Sequence, residues 1–184
     1  MPEGLSFVDG AATHVAFATA WELVVVHTNV NQGDFVIATA GVGEKLESAK
    51  ELGARYGINY NEESIEDGVV RITDGRGADV CIEMVGGRVL QESIRALAHN
   101  GRLATCGAHA GEKVEIDMIE FFRKQLTMSG NHFSPKANNV KAFNLIADGA
   151  VKRIIANKFA LQDMAEAHSY LASRNFFGKV VLEV

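Results

Sequence analysis

The chain has 184 residues, 47% of them hydrophobic and 22% charged, with a formal net charge of -5. These are the proportions of an ordinary globular domain. The acidic balance excludes a phosphate-backbone partner, which would need a basic face, so no nucleic acid is expected.

No apolar run reaches the roughly 18 residues of a membrane helix, so no membrane partner is expected. The opening MPEGLSFVDG lacks the basic start and apolar core of a signal peptide, and a cytoplasmic protein is expected. At roughly 150 residues per domain, the length predicts one domain with at most an appendage. Cys81 and Cys106 lie in separate apolar runs and are expected as reduced core residues. Two cysteines supply too few ligands for a metal, and no metal site is expected.

The first twenty residues show weak periodicity and are expected to lie outside the core. Residues 34–40 (DFVIATA) predict a strand, followed by a turn at Gly41-Val42-Gly43. Residues 44–52 predict a helix with Leu46, Ala49 and Leu52 on its inner face, acidic residues near its start and Gly53 as its stop. A short strand at 58–60, a helix at 64–72 and a buried strand at 78–85 follow. The stretch 88–98 predicts a helix with Leu90, Ile94 and Leu97 facing inward, and 103–106 a strand. A helix at 117–124 and a strand at 126–130 complete an alternating pattern. The tail predicts a helix at 139–148, a strand at 153–159, a helix at 162–173 and a strand at 178–184. The fold class is α/β, a Rossmann-like, doubly wound parallel sheet with both chain ends outside it. The expected domains are 1–20, a residual segment; 21–150, the nucleotide-binding domain; and 151–184, a strand–helix–strand tail.

In an open parallel sheet, ligands bind beyond the carboxyl ends of the strands. Three such ends carry small residues: Gly41-Val42-Gly43, Val85-Gly86-Gly87 and Gly107-Ala108-His109. Small residues let a ligand approach the backbone, and a helix start after the first loop offers N–H groups to a phosphate. Each loop is equally readable as an ordinary tight turn. The full G-x-G-x-x-G fingerprint is absent, because Leu46 stands where its third glycine would fall. Lys45 lies in the first turn of its helix, where a cation opposes the helix dipole and an anion would relieve the conflict. Tyr60 ends the next strand, where it could stack on an adenine, bond a phosphate or simply pack. No nucleophile elbow or H-E-x-x-H motif occurs. His109, His132 and His168 sit in separate segments, and no catalytic residue is assigned.

These residues resemble the C-terminal part of a medium-chain dehydrogenase/reductase of the zinc-free quinone oxidoreductase branch. The resemblance rests on Ala18-Thr19-Ala20-Trp21, GDFV (33–36), EKLESAKELGA (44–54), INY (58–60), GRGADVCIEMVGG (75–87), GRLATCGAHAG (101–111), AEAHSYL (165–171) and FGKVVLEV (177–184), in family order. It implies hydride transfer from NADPH to a quinone or enone, with the cofactor supplying the chemistry. By resemblance, Lys45 and Tyr60 face the adenosine 2′-phosphate of NADP(H). Val85, Gly86, Gly107 and Ala108 flank the ribose and nicotinamide. Thr19 and the segment ending at Phe133 lie near the nicotinamide, and Gly41, Val42 and Gly43 stand in for part of a phosphate loop.

The chain departs from the family in three places. Gly57 stands where the family usually has an apolar strand residue, which weakens that strand modestly. Most of the family's N-terminal catalytic domain has no counterpart, and GDFV runs directly into IATAG, as though one strand–helix unit with its glycine-rich loop were missing. The tail strands would then be orphan edges, and a homodimer or higher oligomer is expected. Three readings stay open: an NADPH-dependent quinone or enone reductase, a non-catalytic nucleotide-binding or oligomerisation module, and a shortened product with no independent activity.

Overall fold

The computed structural model describes residues 4–184. The chain forms two compact units. One comprises Leu23–His132; the other takes the chain up to Glu22 together with Phe133–Val184.

The Leu23–His132 unit begins with a π-helical turn, Glu22–His27 being its full extent, closed by the buried Thr28 hydroxyl donating to the Leu23 carbonyl at 2.7 Å. Five strands and four helices follow: β1 (Ala38–Ala40), α2 (Gly43–Glu51), β2 (Gly57–Asn59), α3 (Ile65–Ile72), β3 (Ala78–Glu83), α4 (Gly87–Arg95), β4 (Leu97–Thr105), α5 (Met118–Arg123) and β5 (Thr127–Gly130). Helix α1 (Phe7–Trp21) belongs to the other unit.

All pairing is parallel, in two separate sheets. β1 pairs with β2, Ala38 opposite Gly57 and Ala40 opposite Asn59. β4 lies between β3 and β5, with Glu83 opposite Thr105 and Thr105 opposite Gly130. The α/β, Rossmann-like class expected from the sequence is therefore found. The continuous sheet is not: it is divided between β1 and β3.

The division explains the shortened first strand. Of the strand expected over 34–40, only Ala38–Ala40 pairs as β1. Phe35 is held instead at the start of β3, where its carbonyl accepts from the Asp79 N–H at 3.1 Å. Its own N–H donates to the Asp79 carboxylate at 2.7 Å. Arg76 pairs with the same carboxylate and stacks over the Phe35 ring at 5.0 Å, while Arg102 pairs with Asp34. Burial alone would raise the Asp79 carboxyl. The hydrogen bonds from Arg76 and the Phe35 N–H, with the charges of Arg76 and Arg102, outweigh it and hold the group below its ordinary 3.8.

Helices α3 and α5 start at capping side chains, Ser64 and Asp117. Ser64 caps α3 by accepting from the Asp67 N–H at 3.1 Å. Glu92, buried on α4, accepts from the Ile65 N–H at 2.9 Å, so α4 caps α3 across their packed faces. Leu90 and Ile94 face inward as expected, but Leu97 is a strand residue, paired opposite Ala78. Its spacing continues the helical period; α4 nevertheless ends at Arg95, and the turn at Asn100-Gly101 is built into β4. Leu52 also departs from expectation, being half exposed beyond the end of α2. Two apolar clusters form the core. One gathers Ile58, Ile65, Val69 and Val89; the other gathers Leu90, Ile94, Leu103 and Leu126.

The second unit contains a helix where the sequence shows weak periodicity. α1 (Phe7–Trp21) starts with a capping box in which Ser6 and Asp9 satisfy each other's backbone N–H groups. The run AATHVAFATA is small and apolar on all sides, so no stripe stands out, yet Ala12, Thr13 and Ala18 are buried. α1 packs on α6 (Lys136–Ala147). Glu22, at the end of α1, is buried and accepts from the Ser134 hydroxyl at 3.0 Å and Asn138 Nδ2 at 2.9 Å. The tail strands β6 (Ile155–Ala160) and β7 (Lys179–Glu183) are not orphans: they pair with each other in parallel across α7 (Met164–Ser173).

The Asp79 contacts give a testable stability term. Asp79→Ala should destabilise the Leu23–His132 unit by about 1–2 kcal/mol, since Arg76 is half exposed and screened. Because the folded carboxyl titrates below its unfolded value, its contribution is present above the unfolded value and fades as pH falls through the folded one. The stability gap between the parent chain and Asp79→Asn, followed by urea unfolding, should therefore narrow as pH falls below the ordinary 3.8.

Candidate functional site

The carboxyl ends of the strands in the Leu23–His132 unit form two corners. The first joins the ends of β1 and β2. Tyr60 donates its N–H to the Ala40 carbonyl at 3.1 Å, and its ring lies against Gly41. A Cβ added at Gly41 would stand 3.0 Å from the ring carbon Cε2 and 3.1 Å from the hydroxyl. Asn61 Nδ2 donates to the Gly41 carbonyl at 2.6 Å, and the Arg88 guanidinium donates to the Tyr60 carbonyl at 3.1 Å.

From this turn α2 begins with Val42 as its N-cap, and no side chain caps it. The first amides of α2 are therefore free of side-chain acceptors, and the space around Gly43 is open. Lys45 stands in the same first turn, half exposed, with no ion-pair partner among the described residues. The structure thus brings Gly41, Val42, Gly43, Lys45 and Tyr60 together. Free amides with a cation beside them make a donor set suited to an anion.

The second corner joins the ends of β3 and β4 and is already satisfied internally. Glu83 is buried, and its carboxylate accepts from the Val85 N–H at 2.6 Å and the Gly86 N–H at 3.0 Å. Gly86 has φ +78°, a conformation that favours glycine, and its built Cβ would meet the Gly111 carbonyl at 2.5 Å. A Cβ at Gly107 would meet the Met84 carbonyl at 2.7 Å. The Ala110 N–H donates to the Val85 carbonyl at 2.6 Å. Val85, Gly86, Gly107 and Ala108 are gathered here, and their small size is accounted for by two loops packed backbone to backbone.

Thr19 and Phe133 belong to the other unit. Thr19 is half-buried in the last turns of α1, and Phe133 is 76% exposed. Glu62 and Glu63 are engaged locally, by Asn59 and Arg71. Sequence reasoning missed Glu83 and Asp79. Glu83 had a visible signal: a lone carboxylate inside the apolar run ADVCIEMV, just before two glycines. Asp79 had none, because its role depends on where Phe35 crosses.

Cys81 and Cys106 are free thiols. Burial pushes the Cys81 thiol up to about 12, against a hydrogen bond with Ser93 that pulls the other way. Cys106 is raised as well, first by burial and then by the Glu83 charge.

Comparison with known proteins places this geometry. A family model described as zinc-binding dehydrogenase matches residues 23–148. Quinone oxidoreductase-like protein 2 of Rattus norvegicus is 30% identical over 183 aligned positions, covering 94% of this chain and 51% of that protein. Its homologue in Nematostella vectensis is 27% identical over 216 positions, covering 99% of this chain and 59% of that one. A solved structure of an NAD-dependent alcohol dehydrogenase superposes with a TM-score of 0.90 at 32% identity, over 100% of this chain and 60% of that one. The chain belongs to the zinc-binding dehydrogenase family of the medium-chain dehydrogenase/reductase superfamily, on its quinone oxidoreductase-like side. It spans about half the length of the relatives it matches.

The thiols provide a check on the second corner. With a pKa near 12, about one Cys81 in ten thousand is ionised at pH 8, and the thiolate is the reactive form. Excess disulfide reagent at about pH 8 should therefore label Cys106 at least about tenfold faster than Cys81, with both reacting after denaturation. Peptide mapping of the labelled protein reads the order.

Proposed function

We propose that the chain is an NADP(H)-dependent oxidoreductase of the quinone or enone reductase type. The observation that carries this reading is the uncapped start of α2, set beside Gly41 and Tyr60 with Lys45 in its first turn. Lys45 would pair with the adenosine 2′-phosphate, Tyr60 would cover the adenine side, and the open space at Gly43 would admit a phosphate oxygen to the free amides. A cation in a first helical turn is unfavourable alone and favourable once an anion sits there. When bound, the nicotinamide supplies the hydride for a quinone or an α,β-unsaturated carbonyl. The names of the rat and Nematostella relatives support the acceptor class. In this reading Val85, Gly86, Gly107 and Ala108 act by shape, walling the ribose and nicotinamide side, because Glu83 already occupies the Val85 and Gly86 amides. No side chain of this chain is given a proton-transfer role.

The same reading carries a homodimer and a cytoplasmic setting. Met118, Ile119 and Phe122 on α5 and Met128 on the edge strand β5 are exposed, which supports self-association; both cysteines are free thiols, which suits a reducing compartment. A second reading is favoured by the saturation of the Val85 and Gly86 amides: a nucleotide-binding module that holds the adenosine end and transfers nothing.

Calorimetric titration tests both. The chain should bind NADPH with a micromolar dissociation constant and prefer it to NADH. Lys45→Ala should weaken NADPH binding by about tenfold while leaving NADH almost unchanged, the effect of losing one charge-assisted contact. Absence of binding by either nucleotide in a folded sample defeats both readings. Binding without oxidation of NADPH by benzoquinone or an enone selects the module.

A further inference from the structure

The division between the two sheets leaves a cavity of about 340 Å³ in the Leu23–His132 unit. One wall is formed by residues 36–39, leading into β1, and the opposite wall by residues 80–85, along and just past β3. Side chains of a strand alternate between faces, so a wall made of consecutive residues is a strand edge. Neither edge has a strand partner among the described residues: β1 pairs only with β2, and β3 only with β4. The floor is apolar and comes from α3 and α4, through Ile65, Val69, Val89 and Ala96. No residue from an opposite layer lines the cavity.

The slot is held at one end and open at the other. The Phe35 carbonyl accepts from both Asp79 and Val80, joining the two walls at their start. From there the chain turns away to Ala38, whose N–H donates to the Tyr56 carbonyl. The walls run in the same direction from this joint, toward Tyr60 on one side and Val85 on the other. The helices that floor the slot are fixed to each other by the Glu92 cap on α3. Closure would require breaking these contacts, so the slot is preformed.

We infer that this slot is an acceptor for one extended peptide strand running parallel to β1 and β3. Both walls present backbone donors and acceptors, and an extended backbone of the same direction meets both ladders at once. A small apolar ligand would fill the floor and leave both edges unpaired. The one-sided floor sets the pattern of the partner: about five residues, apolar at alternate positions toward α3 and α4, and polar at those between. The Nematostella alignment runs over 216 positions while this chain has 184 residues, so at least about thirty of its positions have no counterpart here. This inference uses strand edges rather than the start of α2; Tyr60 and Val85 border both sites, so the experiment is read without nucleotide.

Hydrogen exchange on the full chain tests it, with the synthetic peptide acetyl-Lys-Val-Thr-Ile-Thr-Val-Lys-amide as probe. Protection should rise by about tenfold or more in both segments 36–40 and 80–85, and remain unchanged at β5, an edge outside the slot. The same peptide N-methylated at alternate residues should have no effect. Failure of millimolar peptide to protect either wall overturns the inference. So does protection of one wall alone, or equal protection of β5, which would be ordinary edge addition. Protection that rises with protein concentration and without peptide also overturns it, because a second copy would then be the occupant.

Discussion

The Leu23–His132 unit depends on one small cluster, the clamp of Asp79 on Phe35. Where the chain passes from Gly33 to Ala38 it contributes to two sheets in turn, first to the β3 side and then to the β1 side. Among the described residues, the backbone bonds joining the chain before β1 to β3 are those of Phe35, and there a single carboxylate takes both a backbone N–H and a guanidinium. Both demands favour the ionised form, which is why the group stays below its ordinary value although it is partly buried. Without the clamp, the β1–β2 pair would be tethered through the packing of α3 on α4, the Ile58 cluster and the Arg88 bond to the Tyr60 carbonyl. A two-stranded ribbon is marginal by itself. The clamp sets where the first sheet stands, and thus where the start of α2 and Lys45 are presented.

The alternation of strands and helices was legible because each element carries its own local signal. Ser64 and Asp117 cap α3 and α5, acidic residues follow them, and Leu90 and Ile94 recur at helical spacing. What escaped had its cause in long-range contacts. α1 is apolar on every side, so periodicity was silent there, although Ser6 and Asp9 marked its start. The run DFVIATA has a strand's composition throughout, and only the Asp79 contact divides it. The pairing of β6 with β7 could not be read either, because a strand's partner is not written in the strand.

The candidate site was legible as a set of loops and not as a distribution of donors. Gly41, Gly86 and Gly107 are equivalent in sequence, each a small residue after an apolar strand. In the structure they differ. Gly41 makes room for the Tyr60 ring, and its loop leads into an uncapped helix. Gly86 and Gly107 make room for backbone, and Glu83 occupies the amides that follow it. A glycine at a strand end therefore records a close approach without saying of what. The adjoining acceptors decide whether amides remain for a ligand.

Lys45 and Glu83 complete that argument from opposite signs. Glu83 brings a negative charge to the start of α4, where the dipole favours it, and the corner is neutralised from within. Lys45 brings a positive charge to the start of α2, where the dipole disfavours it, and no acidic side chain pairs with it among the described residues. Two helix starts at adjacent corners of one unit thus stand in opposite electrostatic states. The first needs nothing further. The second is left with cation and amides of the same sign facing one opening, and an anion is what brings that arrangement to balance.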